Sequence, residues 1–201
     1  AGHRVIVPLL QALQVRLDTL VLSHRDTDHV GGAAALLAQQ PQAAWMGSMA
    51  HDTGAVLARP GQRCEAGMAW QWDGVRFEVL HPLAADYRQA LKPNALSCVL
   101  RITAGSQVAL LAGDIEEAQE AALRSREPDL RAAALLVPHH GSKTSSSAAF
   151  LETVAPQVAL VQAGYRNRFG HPAEPVLQRY AQRGVTVVES PRCGAWTWQS
   201  W

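Results

Sequence analysis

Four side chains that can bind metal ions are crowded together near the start of the chain. His24, Asp26, Asp28 and His29 all lie in the segment LVLSHRDTDHVGG, directly after a run of apolar residues. In an extended segment alternate side chains point the same way, so the first three can converge, and His29 can turn inward as the chain bends toward the following glycine pair. Imidazole and carboxylate together favour Zn²⁺, Mn²⁺ or iron over a thiolate site. The alternative is a polar surface turn whose aspartates cap the next helix, but this would use one Asp rather than four ligands.

Two later segments add candidate ligands. Asp114 follows a glycine in LLAGDIEEA, where it could cap the next helix or bridge two cations with its two oxygens. His139 and His140 follow an apolar run in LLVPHHGSKTSSS and could complete a metal site. A solvated, serine-rich turn would explain the serines there but not the histidine pair.

Further polar residues have the chemistry to hold a phosphate. Ser142 and Lys143 follow the histidine pair, and their hydroxyl and ammonium groups suit phosphate oxygens. The loop YRNRFGHP carries Arg166, Arg168 and His171 after another apolar run. We predict that His171 lies at the site, although a lone His is more often structural and Pro172 could simply start a helix.

The hydrophobic pattern interleaves helices and strands and adds two hairpins. It predicts helices at 5–13, 33–40, 115–125, 146–154 and 173–184, single strands at 17–22, 43–47, 132–137, 157–164 and 185–190, hairpins at 68–82 and 97–114, and a last strand at 194–201. Each polar cluster sits where a strand ends. We therefore expect a layered α/β domain with a site on one edge of its sheets.

Composition places few limits on function. The 201 residues suffice for one domain over 1–201, with 48% hydrophobic and 17% charged residues, as in soluble globular proteins. No apolar run approaches the roughly 20 residues of a membrane helix, and the first residues do not fit a signal peptide. The net charge of +1 neither requires nor excludes nucleic acid. The cysteines are odd in number and widely spaced, which favours buried thiols over a disulfide framework: Cys64, Cys98 and Cys193.

Taken in order, these motifs resemble the metallo-β-lactamase superfamily. The pattern is His-x-Asp-x-Asp-His-x-Gly-Gly after an apolar strand, then GD, PHHGS and GHP, and it covers essentially the whole chain. Together with NALSCVLRI, it is most similar to the soluble metallo-β-lactamase-like domain of ComEC-type DNA-internalisation competence proteins. The resemblance implies a four-layer αβ/βα sandwich with metals on the shared edge of its sheets. Because the chain starts at a helix, we expect the first sheet to lack its first N-terminal strands.

The resemblance also assigns roles. It implies two divalent ions, Zn²⁺ or Mn²⁺, one held by His24 and Asp26 and the other by Asp28 and His29. Asp114 would bridge them, and His140 with His139 would complete the ligand set. Asp28 and His171 would act at the scissile group. Flanking phosphates would be held by Ser142, Lys143, Arg166 and Arg168.

Two departures from the family pattern concern the first metal. The superfamily's commonest signature has His where this chain has Asp26, which makes the site harder, leaves room for Mn²⁺ and argues against a β-lactam hydrolase. No His lies in the usual third-motif position between His29 and Asp114. Asn94 or Ser97 is nearer that position, which predicts an open or water-filled ligand slot.

The function implied is metal-dependent phosphodiester hydrolysis, in a nuclease acting on DNA, expected to be single-stranded, during uptake in natural transformation. The chain would be a soluble domain of a larger bacterial inner-membrane protein, on its outer side, with the membrane channel portion of the same polypeptide as its partner. Alternatives are hydrolysis of a small phosphodiester or phosphorylcholine ester, or a non-catalytic module that guides DNA.

Overall fold

Two β-sheets form the centre of the computed structural model, which describes residues 2–51 and 57–198. The smaller sheet pairs β1 (Thr19–Leu22) in parallel with β2 (Ala44–Gly47). The larger sheet contains seven strands in chain order: β3 (Ala69–Trp72), β4 (Val75–His81), β5 (Val99–Ala104), β6 (Gln107–Leu111), β7 (Ala134–Leu136), β8 (Val158–Val161) and β9 (Thr186–Glu189). Neighbours are antiparallel from β3 to β6 and parallel from β6 to β9.

Most helices follow the polar loops at the ends of strands. They are α1 (Val7–Ala12), which continues a π-helical turn at Gly2–Ile6, α2 (Thr27–Val30), α3 (Ala33–Gln39), α4 (Glu117–Arg126), α5 (Ala148–Val154), α6 (Glu174–Ala181) and α7 (Ser190–Cys193). Each of α4, α5 and α6 connects two neighbouring parallel strands, because parallel strands need a crossover between them. None of the helices formed by the described residues combines the length and apolarity that crossing a membrane requires.

Three apolar cores separate four layers. One core packs the larger sheet against α4, α5 and α6, for example through Leu135, Phe150 and Tyr180. A second core lies between the sheets, because Val21 and Met46 face the larger sheet. Their neighbours along β1 and β2 face the opposite way and pack against α3. The four-layer sandwich is therefore confirmed, and the outer edge of β1 has no strand partner among the described residues.

Local sequence determines the two hairpins of the larger sheet. Asp73 and Gly74 join β3 to β4 with positive φ values of 46° and 81°, a two-residue turn for which Asp-Gly is favoured. A second two-residue turn at Gly105 joins β5 to β6, where Ala104 pairs with Gln107. Both predicted hairpins are confirmed.

Two predictions are wrong. The expected last strand at 194–201 does not form over 194–198. Helix α7 ends at Cys193, and Gly194 turns the chain with a φ of 71°. Residues 199–201 lie outside the described residues. The cysteines are not all buried thiols. Cys64 and Cys98 form a disulfide between the sheets with a Cα–Cα distance of 6.1 Å, and Cys193 is an exposed free thiol. Sequence spacing did not reveal the pair because β5 brings Cys98 to a segment 34 residues earlier.

Candidate metal centre

The predicted ligands meet at one end of both sheets. The segment from His24 to His29 follows β1, Asp114 follows β6, and His139 and His140 follow β7. Strands β6 and β7 are parallel neighbours, so their carboxyl ends reach the same edge. The smaller sheet adds the end of β1 from the other side, where the Ser23 carbonyl accepts a hydrogen bond from the Cys98 amide.

Two overlapping groups of side chains have the spacing of metal ligands. His24, His29 and Asp114 form one group, and Asp28, His29 and His140 form the other; within each, all ligand atoms lie within 4.8 Å of one another. In the second group, His140 Nε2 lies 3.2 Å from His29 Nε2 and 3.4 Å from Asp28 Oδ2. Asp26 lies at the rim of the first group, with Oδ2 3.4 Å from His24 Nε2.

Asp114 lies close to histidines of both groups, which have His29 in common. Its Oδ2 lies 3.2 Å from His29 Nε2 and 3.4 Å from His140 Nε2. The Nε2 atoms of His24 and His139 are each 3.9 Å away. One nearly buried carboxylate oxygen therefore faces four imidazoles, an arrangement suited to a bridging ligand.

The ring nitrogens are oriented so that Nε2 atoms point into the cluster. The Ser23 hydroxyl lies 3.0 Å from His24 Nδ1 and 2.9 Å from His29 Nδ1. The carbonyl of Gln162 accepts a 2.6 Å hydrogen bond from His140 Nδ1. Metal-binding histidines are commonly held this way through their second nitrogen.

His24 provides a test of whether a cation fits. Its side chain is fully buried, and Nε2 makes no hydrogen bond although two carboxylates lie close by. A buried nitrogen without a partner is costly, and a cation among these carboxylates would satisfy it. The residues present therefore fit a divalent ion.

The backbone at Asp114 explains why a glycine precedes it. Gly113 has a φ of 56°, and a Cβ there would lie only 2.9 Å from the Cβ of Ser97. The Asp114 amide donates a 3.0 Å hydrogen bond to the Ser97 hydroxyl, and its carboxylate faces His29 and His140 rather than the start of α4. Instead Glu116 caps that helix, in a reciprocal pair with Gln119. The N-cap alternative for Asp114 is excluded.

The histidine pair has a strained backbone. His139 and His140 have φ values of 48° and 54°, in the left-handed region that L-residues rarely adopt. Such strain persists where the surroundings fix it, and it clusters at functional sites. Here it turns His140 toward Asp114 and His139 toward Glu116, whose Oε1 lies 3.2 Å from His139 Nδ1.

Electrostatics divide the cluster into neutral and charged members. Burial and the neighbouring His29 lower the pKa of His24 to about 4. Burial opposes ionisation of Asp114, but hydrogen bonds with His140 and His29 outweigh it and hold its pKa well below the usual range. The hydrogen bond with Asp114 outweighs burial at His140 and raises its pKa to about 9.

The floor of the cluster is apolar. A cavity of about 340 Å³ between the sheets opens at Asp28, His29 and Asp114, and its walls include Val21, Leu100, Leu111 and Leu136. Surroundings of low polarity strengthen electrostatic interactions at the cluster above them.

His171 lies next to the cluster without joining it. Its ring centroid is 5.8 Å from that of His139, and Nδ1 is buried without a hydrogen bond. Burial, and then His139, lower the pKa of His171, which keeps the imidazole neutral. Asn94, which the sequence has near the third-motif position, also lies here. Its Nδ2 is 3.2 Å from His139 Nε2.

Two of the four predicted phosphate-binding residues line an open groove beside His171. Lys143 and Ser142 line a groove of about 500 Å³ together with Phe169 and Glu174. Lys143 is exposed, whereas Ser142 is 7% exposed and its hydroxyl lies 3.1 Å from that of Thr144. Arg166 and Arg168 are exposed on the adjoining loop.

Three residues support the site through contacts that the sequence did not predict. Gln162 acts through its carbonyl, which leaves no signal in the sequence beyond its place at the end of β8. Glu116 lies in an acidic segment that predicts the start of a helix. It does cap α4, and it also contacts His139. Ser97 was considered as a ligand, but its hydroxyl lies 3.2 Å from His24 Nδ1, on the far side of that ring from the cluster.

Fold and site together define a metallo-β-lactamase-like protein, and the chain belongs to the metallo-β-lactamase superfamily, whose family model matches residues 8–165. The fold of this superfamily implies divalent metal binding. Among curated proteins, the chain is 38% identical to Competence protein ComA of Neisseria gonorrhoeae, over 97% of this chain and 27% of that protein. It is 31% identical to ComE operon protein 3 of Bacillus subtilis, over 96% of this chain and 26% of that protein. The chain spans about a quarter of the length of these relatives.

Solved structures agree on the fold. The metallo-β-lactamase fold protein YhfI from Bacillus subtilis matches with a TM-score of 0.53 at 14% identity, over 94% of this chain and 81% of that one. CmlA, a diiron β-hydroxylase from Streptomyces venezuelae, matches with a TM-score of 0.57 at 10% identity, over 87% of this chain and 43% of that one. At these identities the likeness concerns the fold alone.

Proposed function

We propose that this chain is a metal-dependent phosphodiester hydrolase that acts on DNA. The observation that carries the proposal is the position of Asp114, whose Oδ2 faces the Nε2 atoms of His24, His29, His139 and His140 within 3.9 Å. A carboxylate so placed is suited to join two cation sites.

The proposed ligand roles follow the family resemblance together with the short distances within the cluster. His24 and Asp26 would hold one cation, Asp28, His29 and His140 the other, and Asp114 both. The mixture of imidazole and carboxylate suits either Zn²⁺ or Mn²⁺. When bound, two such ions lower the pKa of water and neutralise charge that develops on phosphoryl oxygens.

The surrounding residues supply positioning. We propose that the neutral His171 ring donates a hydrogen bond to a phosphoryl or leaving oxygen. Lys143, Arg166 and Arg168 would attract the flanking phosphates of a polyanion. In the described part of the chain, no carboxylate forms a salt bridge with any of these three cations, which supports their availability to substrate.

The shape of the groove favours DNA over a small choline ester. An enclosed aromatic pocket would suit a choline headgroup, but the groove beside His171 is open and has Lys143 on its wall. The full set of candidate ligands argues against a purely DNA-guiding module.

A role in DNA uptake is part of the proposal. It is supported by the name of one relative, Competence protein ComA, to which the chain is 38% identical. We propose that the chain serves as a domain on the outer side of a bacterial inner membrane, joined to a membrane channel in the same polypeptide. The Cys64–Cys98 disulfide supports this placement, since disulfides persist in oxidising compartments.

Cleavage of labelled DNA tests the activity. The purified protein is incubated with Mn²⁺ or Zn²⁺ and end-labelled oligonucleotides, beside Asp114→Asn and a matched control, Asp73→Asn, in the distant β3–β4 turn. We expect the wild type and Asp73→Asn to cleave, and Asp114→Asn to lose at least about 100-fold in rate. Equal cleavage by all three, or none by the wild type with any metal, would refute nuclease activity. Hydrolysis of phosphorylcholine or small diesters alone would favour the alternative substrate.

A further inference from the structure

Two aromatic side chains beside the metal centre are unusually exposed. Tyr165 is 73% exposed and Phe169 is 65% exposed, the highest values among the large hydrophobic residues described as exposed. Neither ring is buried in the fold, so both are available to contact a ligand. The proposed phosphate chemistry does not use either ring.

Phe169 is connected to the metal centre by a series of aromatic rings. Its ring centroid is 5.8 Å from that of His171, with an angle of 18° between the planes. The His171 ring is in turn 5.8 Å from the His139 ring, whose Nε2 lies 3.9 Å from Asp114 Oδ2. A ligand that contacts Phe169 would therefore lie next to His171, which is itself next to the metal centre.

An arginine guanidinium group also lies over each ring. Arg166 lies over Tyr165 at 5.4 Å from the ring centroid, and Arg168 lies over Phe169 at 4.8 Å. Across the groove stands Lys143. Glu174 contributes one carboxylate to the same groove, and that carboxylate accepts a 3.1 Å hydrogen bond from Gln178.

Alternating aromatic rings and cations are the chemistry of a surface that binds single-stranded nucleic acid. Rings stack on bases whatever the sequence, while cations follow the phosphates. We propose that Tyr165 and Phe169 stack on unpaired bases of a DNA strand and thereby make the site select single-stranded DNA. Paired bases in a duplex already have both faces covered, so a duplex would gain the cation contacts without the stacking. The inference rests on the proposed function and names the residues that determine its specificity.

Binding to matched oligonucleotides tests this inference without requiring cleavage. The probes are a fluorescein-labelled 12-nucleotide thymidine strand and an abasic strand of equal length, both with phosphorothioate linkages that resist hydrolysis. Affinity for the metal-loaded protein is measured by fluorescence anisotropy. The variants are Tyr165→Leu and Phe169→Leu. Trp72→Leu is the matched control, because Trp72 is another exposed ring but lies at the β3–β4 turn, the end of the sheet remote from Ser97 and the metal centre.

We expect the wild type and Trp72→Leu to bind the thymidine strand more tightly than the abasic strand. Each site variant should lose about tenfold in affinity for the thymidine strand and little for the abasic one. A wild type that binds both strands equally, or site variants that keep the full preference, would overturn the inference. Because the probes are not cleaved, this result is independent of the cleavage assay. A protein that prefers the thymidine strand but cuts no DNA would support base stacking by Tyr165 and Phe169 and would refute the nuclease proposal.

Discussion

Asp114 is the residue on which the candidate metal centre depends. It is nearly buried, its amide is held by Ser97, and only a glycine can precede it without a clash. Its Oδ2 lies within 3.9 Å of the Nε2 atoms of His24, His29 and His140, and so faces histidines of both ligand groups. Removing its charge while keeping its shape should therefore disturb both cation sites at once.

The first prediction concerns metal content. We expect wild-type protein to retain close to two divalent ions per chain after desalting, and Asp114→Asn to retain one or fewer, because a neutral amide is a poor bridging ligand. Atomic absorption measures the ratio. An Asp114→Asn protein with undiminished metal content would show that this carboxylate is not a ligand. Asp73→Asn should behave as the wild type does.

The second prediction concerns pH. Asp114 raises the pKa of His140 to about 9, so below that pH the metal-free imidazole carries a proton that metal binding must displace. Metal affinity should therefore rise with pH, by about tenfold per unit for one proton, and level off above about 9. His24, whose lowered pKa keeps it neutral, adds no proton in this range. Calorimetry in buffers of different ionisation enthalpy counts the protons. No proton release near neutral pH would contradict the assignment of His140.

At the scale of elements, most candidate ligands lie directly after strands. This is why the sequence predicted their positions. An apolar run followed by His24, Asp114 or His140 predicts a buried strand with ligands at its carboxyl end, and all three stand there. The contacts that orient the histidines were harder to predict, because hydrogen bonds made through backbone groups such as the Gln162 carbonyl have no residue-type signal.

Helix α4 holds the loop that follows the histidine pair. Glu120 is fully buried, and its carboxylate accepts hydrogen bonds from the amides of Ser146 and Ser147, at 2.5 and 2.9 Å. This serine-rich loop continues from Ser142 and Lys143 into α5. A buried carboxylate with these partners fixes the loop against the helix.

We predict that Glu120→Ala lowers the free energy of unfolding by about 1–3 kcal/mol, because two buried amides lose their acceptor. Urea denaturation measures the change. The control is Glu117→Ala, an exposed glutamate on the same helix, which should change stability by less than about 0.5 kcal/mol. Equal effects of the two substitutions would mean that Glu120 does not fix the loop.

At the scale of the whole molecule, contacts distant in sequence were the part that sequence reasoning missed. The alternation of apolar residues predicted a layered α/β domain, and the resemblance to the metallo-β-lactamase superfamily implied its four layers. The Cys64–Cys98 disulfide was not, because nothing in the spacing of three cysteines shows which strands lie face to face. The exposure of Tyr165 and Phe169 likewise depends on tertiary packing, which the residue types alone do not show.

The disulfide yields a prediction about stability. It closes a separation of 34 residues, and replacing Cys64 and Cys98 together by Ala should cost about 2–4 kcal/mol in urea denaturation. A reductant should lower the stability of the wild type but leave the double variant unchanged. Denatured, unreduced wild type should contain one reactive thiol, that of Cys193. Three reactive thiols would rule out the disulfide.

The central claim is that segments distant in the chain assemble one site for two divalent cations. Crystals grown with Mn²⁺ and measured for anomalous scattering test it most directly. We predict two anomalous peaks about 3.5–4 Å apart, one beside His24 and Asp26, one beside Asp28, His29 and His140, with Asp114 in contact with both. A map without peaks at this cluster, or with peaks only elsewhere on the protein, would contradict the account.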